Sequence, residues 1–283
     1  MSSDIRIASS DGVSLALHDY NPESCASTVL LSHATGFHGR VFDPVARELI
    51  ATHHCVTFDY RGNGDSALPS DSSVRWTAFG DDALAAARYA ASNGPVVGAG
   101  HSMGGAALVM AAVRAPELFR ALVLFEPTIF PPITRQLMGS SNQLADGARK
   151  RRTTFASFDD ALSNFSSKPP LNVFHPDALD AYVMNGFRQM PDGTVTLKCS
   201  PEHEARTYEG AVDHETWGDL AKLTIPTWVI SGLEIDYGPS SFAQRVATEI
   251  PGSHFVRYDD LGHFGPMQDP ARFAAIIREV AVN

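Results

Sequence analysis

The stretch Pro95-Val96-Val97-Gly98-Ala99-Gly100-His101-Ser102-Met103-Gly104-Gly105-Ala106-Ala107-Leu108 decides how this chain folds. It opens on a short apolar run, passes through G-x-S-x-G at Gly100–Gly104, and continues into an alanine-rich segment with helical spacing. The order is strand, tight turn, helix. A turn this sharp strains the serine backbone and admits only small neighbours, and Gly98, Gly100, Gly104 and Gly105 are those neighbours. The strain holds the Ser102 hydroxyl clear of the strand end. It also aims the Met103 N–H, at the helix N-terminus, toward a developing oxyanion. Ser102 is the candidate nucleophile.

The segments on either side repeat the rhythm. Thr28–His33, Cys55–Asp59 and Ala121–Glu126 read as buried strands, and Arg40–Ala51, Arg75–Ala91 and Met103–Ala115 as helices. Near the start, Ile5–Ala8 and Val13–Asp19 flank Asp11-Gly12, a hairpin signal. Alternating strands and helices predict an α/β protein with a mostly parallel sheet covered on both faces. The rhythm breaks at Pro131-Pro132. Helical fragments (Asp159–Phe165, Asp177–Phe187) follow, interrupted by Lys168-Pro169-Pro170 and Pro191-Asp192-Gly193. Strand–helix order resumes with Thr227–Ser231, a helix near Ser240–Glu249, His254–Asp259 and a closing helix Asp269–Val282. The expected organisation is a core of residues 1–130 and 218–283, with a helical insertion at 131–217 after the sixth core strand.

Composition narrows the function classes. At 283 residues the chain is long enough for one α/β domain with an insertion, and 44% hydrophobic with 19% charged residues is ordinary for a globular protein. A net charge of −10 counts against nucleic acid or an anionic membrane as partner, since both need a basic face. Cys25, Cys55 and Cys199 are odd in number and far apart, so no disulfide framework or C-x-x-C clip is expected. The N-terminus lacks the basic and apolar regions of a signal peptide. The uncharged run Gly94–Val113 carries five glycines and reads as buried strand, turn and helix rather than as a membrane span. A soluble cytoplasmic protein is the expectation, with the oligomeric state open.

A serine hydroxyl needs a base, and the base needs an orienting acid. His263 lies in a loop just beyond the last strand, where it could reach the turn; His53, His54, His175, His203 and His214 are less well placed. Asp236 follows Thr227–Ser231 and completes the order Ser102…Asp236…His263. It is the expected acid, with Glu126 at the end of the sixth strand and Glu234 on the same turn as Asp236 as alternatives. Three other patterns carry less weight. Gly62-x-Gly64 with Asp81 and Asp82 mimics a dinucleotide fingerprint, but Leu68-Pro69-Ser70-Asp71-Ser72 does not open a helix that could hold a pyrophosphate. His203-Glu204 and His214-Glu215 lack a second histidine at i+4, so no metal is expected. Arg149-Lys150-Arg151-Arg152 reads as a solvated helix face, with a dock for an anionic substrate as the sharper alternative.

Four segments, Leu30–Ala46, Phe58–Ser66, Gly98–Leu108 and Leu261–Pro270, together resemble the α/β-hydrolase superfamily, the cofactor-free esterases, lipases and epoxide-hydrolase-like enzymes. The resemblance implies that the loop after the third strand supplies a second oxyanion N–H; His33 matches the family pattern, Ala34 replaces its glycine, and Thr35 takes the donor position. It implies that Asp59–Ser66 is a structural turn, and that the insertion caps the site, with Trp217, Phe187, Met184 and Met190 as candidate liners. Epoxide hydrolases and haloalkane dehalogenases of this fold carry Asp where this chain has Ser102, so serine directs the reading to acyl transfer. The expected activity is hydrolysis of a small-molecule carboxylic ester or lactone by a Ser-His-Asp triad. A C–C bond hydrolase, a thioesterase, an acyltransferase, or a non-catalytic ligand-binding scaffold are the alternatives.

Overall fold

A computed structural model describes residues 3–20, 27–68, 74–134, 142–236 and 238–282. Cys25 and most of the Leu68–Ser72 stretch lie outside these residues. Eight strands form one sheet: β1 (Ser3–Ala8), β2 (Ser14–Tyr20), β3 (Thr28–Ser32), β4 (His54–Phe58), β5 (Val96–His101), β6 (Phe119–Phe125), and two later strands that follow the insertion. The β1–β2 connection uses Asp11 and Gly12, both at positive φ (58° and 70°), as a turn at Asp-Gly requires. β3, β4 and β5 are buried along their whole length, which explains why they read as continuous apolar runs rather than alternating ones.

Helices cover both faces. α1 (Asp43–Leu49) lies on one face; α2 (Trp76–Ala90) and α3 (Met103–Arg114) pack together on the other. Gly94–Val113 folds mainly as β5 and α3, and among the described residues no helix is long and apolar enough to cross a membrane.

The insertion departs from expectation. It contains α4 (Gln143–Arg149), β7 (Thr154–Phe155), α5 (Phe158–Ser166), α6 (Pro176–Gly186), β8 (Phe187–Gln189), β9 (Val195–Leu197), α7 (Pro201–Glu209) and α8 (Thr216–Asp219). β7, β9 and β8 form a separate antiparallel sheet, so the insertion is not purely helical. Pro191-Asp192-Gly193 is a hairpin tip, with Gly193 at φ 88° and the Met190 N–H donating to the Thr194 carbonyl at 2.8 Å. Strands of two or three residues are too short to show a period, and the turn was the only signal available.

The insertion is tied to the core at several points. The Trp76 indole N–H donates to the Thr207 carbonyl at 2.9 Å, His38 Nε2 lies 3.1 Å from the Tyr182 carbonyl, and Lys198 pairs with Asp65 at 2.8 Å. Beyond it the sheet closes with β10 (Thr227–Ser231), α9 (Pro239–Glu249), β11 (His254–Arg257), α10 (Gly265–Gln268) and α11 (Pro270–Val282). The full order is β1-β2-β4-β3-β5-β6-β10-β11, parallel from β4 to β11. The carboxyl ends of β3, β5, β6, β10 and β11 therefore share one edge, where a site in such a sheet is built.

Candidate active site

Ser102 sits between β5 and α3 at φ 54°, ψ −117°, a conformation that costs an L-residue on the order of 1–3 kcal/mol. Its surroundings over-determine it. The Ser102 N–H donates to the Phe125 carbonyl at 3.0 Å, and its carbonyl accepts from the N–H groups of Gly105, Ala106 and Thr128. A Cβ at Gly104 would lie 2.3 Å from the Ser32 carbonyl oxygen, and one at Gly100 would lie 2.7 Å from the Gly105 nitrogen. Only glycine permits so close an approach of strand, turn and helix. Met103 follows as the first helical residue, and its N–H has no acceptor within the helix. The Ser102 hydroxyl lies 2.9 Å from the Thr128 hydroxyl.

His263 lies between β11 and α10. Its Nδ1 is 2.6 Å from Glu126 Oε2, and the other Glu126 oxygen accepts from the Gly232 N–H at 2.8 Å. Glu126 is wholly buried at the end of β6, held at φ 43° with its N–H on the Ile230 carbonyl. This corrects the expected acid. Asp236 is exposed on the turn after β10, and the neighbouring Glu234 is ion-paired with Arg257 at 2.8 Å. The physical reason is adjacency. β6 neighbours β5, the strand that leads to Ser102, and a positive-φ residue at its end turns its side chain into the site.

The loop after β3 is locked by His33, whose Nδ1 is 2.7 Å from the Ala34 carbonyl while Nε2 accepts the Tyr60 N–H at 3.0 Å. That pattern fixes the Nδ1–H tautomer, and burial lowers the His33 pKa to about 4, so the ring is neutral. Thr35 follows on this loop. His101, beside Ser102, has Nε2 2.8 Å from the His263 carbonyl, and burial holds its pKa well below the usual histidine value.

Ala34, Thr35, Ser102, Thr128 and His263 line one cavity of about 200 Å³. Its remaining walls are mostly apolar or aromatic, from Trp76 and Phe130 in the core to Leu144, Tyr208, Ala211 and Val212. None of the four expected liners is among them. Phe187 is buried within the insertion, Met184 and Met190 are exposed, and Trp217 lies under the Arg245 guanidinium. Sequence reasoning missed Thr128, His101 and His214. The last stacks on Trp76 and has Nε2 3.0 Å from the Thr128 carbonyl. Their contacts join residues distant in the chain, which no local pattern records.

The Gly62–Gly64 pattern has a structural explanation. A Cβ at Gly64 would lie 2.2 Å from an Asp59 carboxylate oxygen, and that carboxylate accepts the N–H groups of Gly39 and Asp65. Asp82, the would-be ribose ligand, is instead bound by Arg61 through Nε at 2.9 Å and Nη2 at 2.8 Å.

Residues 29–276 match the model of the alpha/beta hydrolase family. The chain is 33% identical over 275 residues to Lipase LipV of Mycobacterium tuberculosis, covering 94% of this chain and 97% of that protein. In fold it is similar to E-2-(acetamidomethylene)succinate hydrolase, with a TM-score of 0.80, 19% identity and 100% of both chains covered. It is also similar to the thioesterase domain from the curacin biosynthetic pathway, with a TM-score of 0.76, 18% identity, and 98% and 99% of the two chains covered.

Proposed function

Because the chain belongs to the alpha/beta hydrolase family, we propose that it is a serine hydrolase that cleaves a small-molecule carboxylic ester or lactone through an acyl-enzyme. The observation that carries this reading is the 2.6 Å contact of His263 with the buried Glu126, in the same cavity wall as the strained Ser102. With its proton held on Nδ1 by Glu126, the imidazole presents Nε2 as a base. The Ser102 hydroxyl turns from Thr128 toward that nitrogen and attacks the ester carbonyl as the proton passes to His263. The N–H groups of Met103 and Thr35 stabilise the tetrahedral oxyanion. Collapse expels the alcohol, which takes the proton back from His263. Water, activated by the same imidazole, then attacks the acyl-enzyme and frees the acid and Ser102.

In this reading the insertion is a cap: its Leu144, Tyr208, Ala211 and Val212 supply the apolar walls that exclude water from the acyl transfer. Likeness to a protein named a lipase supports an ester substrate. The test is covalent labelling with a fluorophosphonate, read by intact mass and peptide mapping, beside hydrolysis of p-nitrophenyl esters. Label on Ser102 and loss of both signals in Ser102→Ala are expected. Label on another serine, or ester turnover that survives Ser102→Ala, would overturn the assignment.

A further inference from the structure

A second chamber of about 370 Å³ adjoins the Ser102 cavity and shares Thr35, Leu144, Tyr208 and Phe264 with it as walls. The two spaces are thus neighbours across these four residues. The two spaces differ in charge. The residues lining the Ser102 cavity include no lysine, arginine or carboxylate, whereas Arg151, Lys168 and Glu204 line the second chamber.

Glu204 is almost wholly buried and already neutralised: Arg151 Nη1 donates to its Oε2 at 2.5 Å, while Arg151 Nη2 donates to the Tyr182 hydroxyl at 2.5 Å. Gly36 makes room for this carboxylate, since a Cβ there would lie 2.6 Å from Glu204 Oε1. The Arg151 side chain is 20% exposed and lines the chamber, and Glu204 and Tyr182 take two of its five N–H donors. Lys168 donates to Asn164 Oδ1 at 2.8 Å, which takes one of its three ammonium donors. The chamber thus carries one positive charge in excess. Phe37, Phe165, Leu171 and Phe264 add hydrocarbon surface beside these cations.

We propose that this chamber is the specificity subsite for a carboxylate at the far end of a short hydrocarbon chain, so that the substrate of Ser102 is an anionic ester. The assignment deepens the serine-hydrolase reading and rests on it for the reaction, though not for binding. Lys168 and the free edge of Arg151 receive the distal carboxylate, and the aromatic walls take the methylenes. The other two arginines of the basic run are paired elsewhere. Arg149 pairs with Glu202 and Glu209, and Arg152 with Asp160, all on the surface.

The experiment compares mono-p-nitrophenyl glutarate with p-nitrophenyl pentanoate, which has the same chain length and no distal charge. Wild type should favour the glutarate ester in kcat/KM, and Lys168→Gln should lower that ratio about tenfold, the value of one charge-assisted hydrogen bond. Lys168→Arg should restore it. Lys222→Gln, which removes a cation paired with Asp219 on the surface, should leave the ratio as it is. The same two esters are titrated against Ser102→Ala, where binding is read without turnover. Preferential binding of the glutarate ester that Lys168→Gln abolishes supports the subsite even if no ester is hydrolysed. Equal binding of the two esters, or a ratio unmoved by Lys168→Gln, overturns it and leaves the Ser102 chemistry standing.

Discussion

The ends of β6 and β10 lie side by side at one edge of the sheet, and each is followed by a carboxylate, yet the two carboxylates have opposite fates. Glu126 is fully buried, turned inward by a positive φ, and shared between the Gly232 N–H and the His263 ring. Asp236 lies five residues beyond the end of β10, exposed on its turn. A carboxylate can orient a base only if it is held, and holding requires fixed donors in a site that excludes water. At β6 the neighbouring strand and its turn supply those donors. At β10 the chain has already left the sheet edge before Asp236 is reached.

The substitution with the largest expected effect breaks this contrast directly. Glu126→Gln preserves volume and can keep the Gly232 contact, but its amide can favour the wrong imidazole tautomer. It should lower kcat by about two to four orders of magnitude. Steady-state ester hydrolysis with circular dichroism as a folding control checks it, and a loss below tenfold would remove Glu126 from the role.

A smaller effect concerns the turn that carries Glu126. His214 anchors that turn at the Thr128 carbonyl, and its Nδ1 lies 2.8 Å from the Thr216 hydroxyl. Burial lowers the His214 pKa to about 4 and that of His33 also to about 4, both below the unfolded reference of about 6.5. Between those values the unfolded chain binds more protons than the folded one. Stability is therefore complete above about pH 6.5 and falls as the pH drops toward 4, by about 2 kcal/mol per ring at pH 5. Thermal unfolding at pH 7 and pH 5 measures it. His214→Asn should flatten the dependence, and an equally steep loss in that variant would assign the effect elsewhere.

The smallest effect sharpens the contrast from the other side. Asp236→Asn alters an exposed turn and should change kcat/KM by no more than about twofold. A loss of tenfold or more, with Glu126→Gln still active, would move the acid back to the turn after β10.

Much of this was legible because it depends on neighbours in the chain. The glycines around Ser102 are dictated by a local approach of strand to helix, and Asp11-Gly12 by a local pair of positive φ angles. β10 coincides with the expected Thr227–Ser231 because a short β-branched and aromatic run between turns is a local signal. The small sheet of the insertion was not legible, since its strands are shorter than any period. The lining of the site was not legible either. Met184 and Phe187 share an apolar character with Tyr208 and Leu144, and only packing decides which of them face the cavity.

By itself, the amino-acid sequence determined the alternation that makes a parallel sheet, the tight strand-to-helix turn at Ser102 and the placing of His263 beyond the last strand. These follow from propensity, glycine sterics and chain order, which need no knowledge of distant contacts. The tertiary structure alone decided that Glu126 rather than Asp236 meets His263, that Thr128 meets Ser102, and that Arg151 and Lys168 face one chamber. Each of these joins residues from 17 to 137 positions apart. Such contacts are set by which strands lie adjacent and how the insertion packs over them, and a linear pattern carries neither.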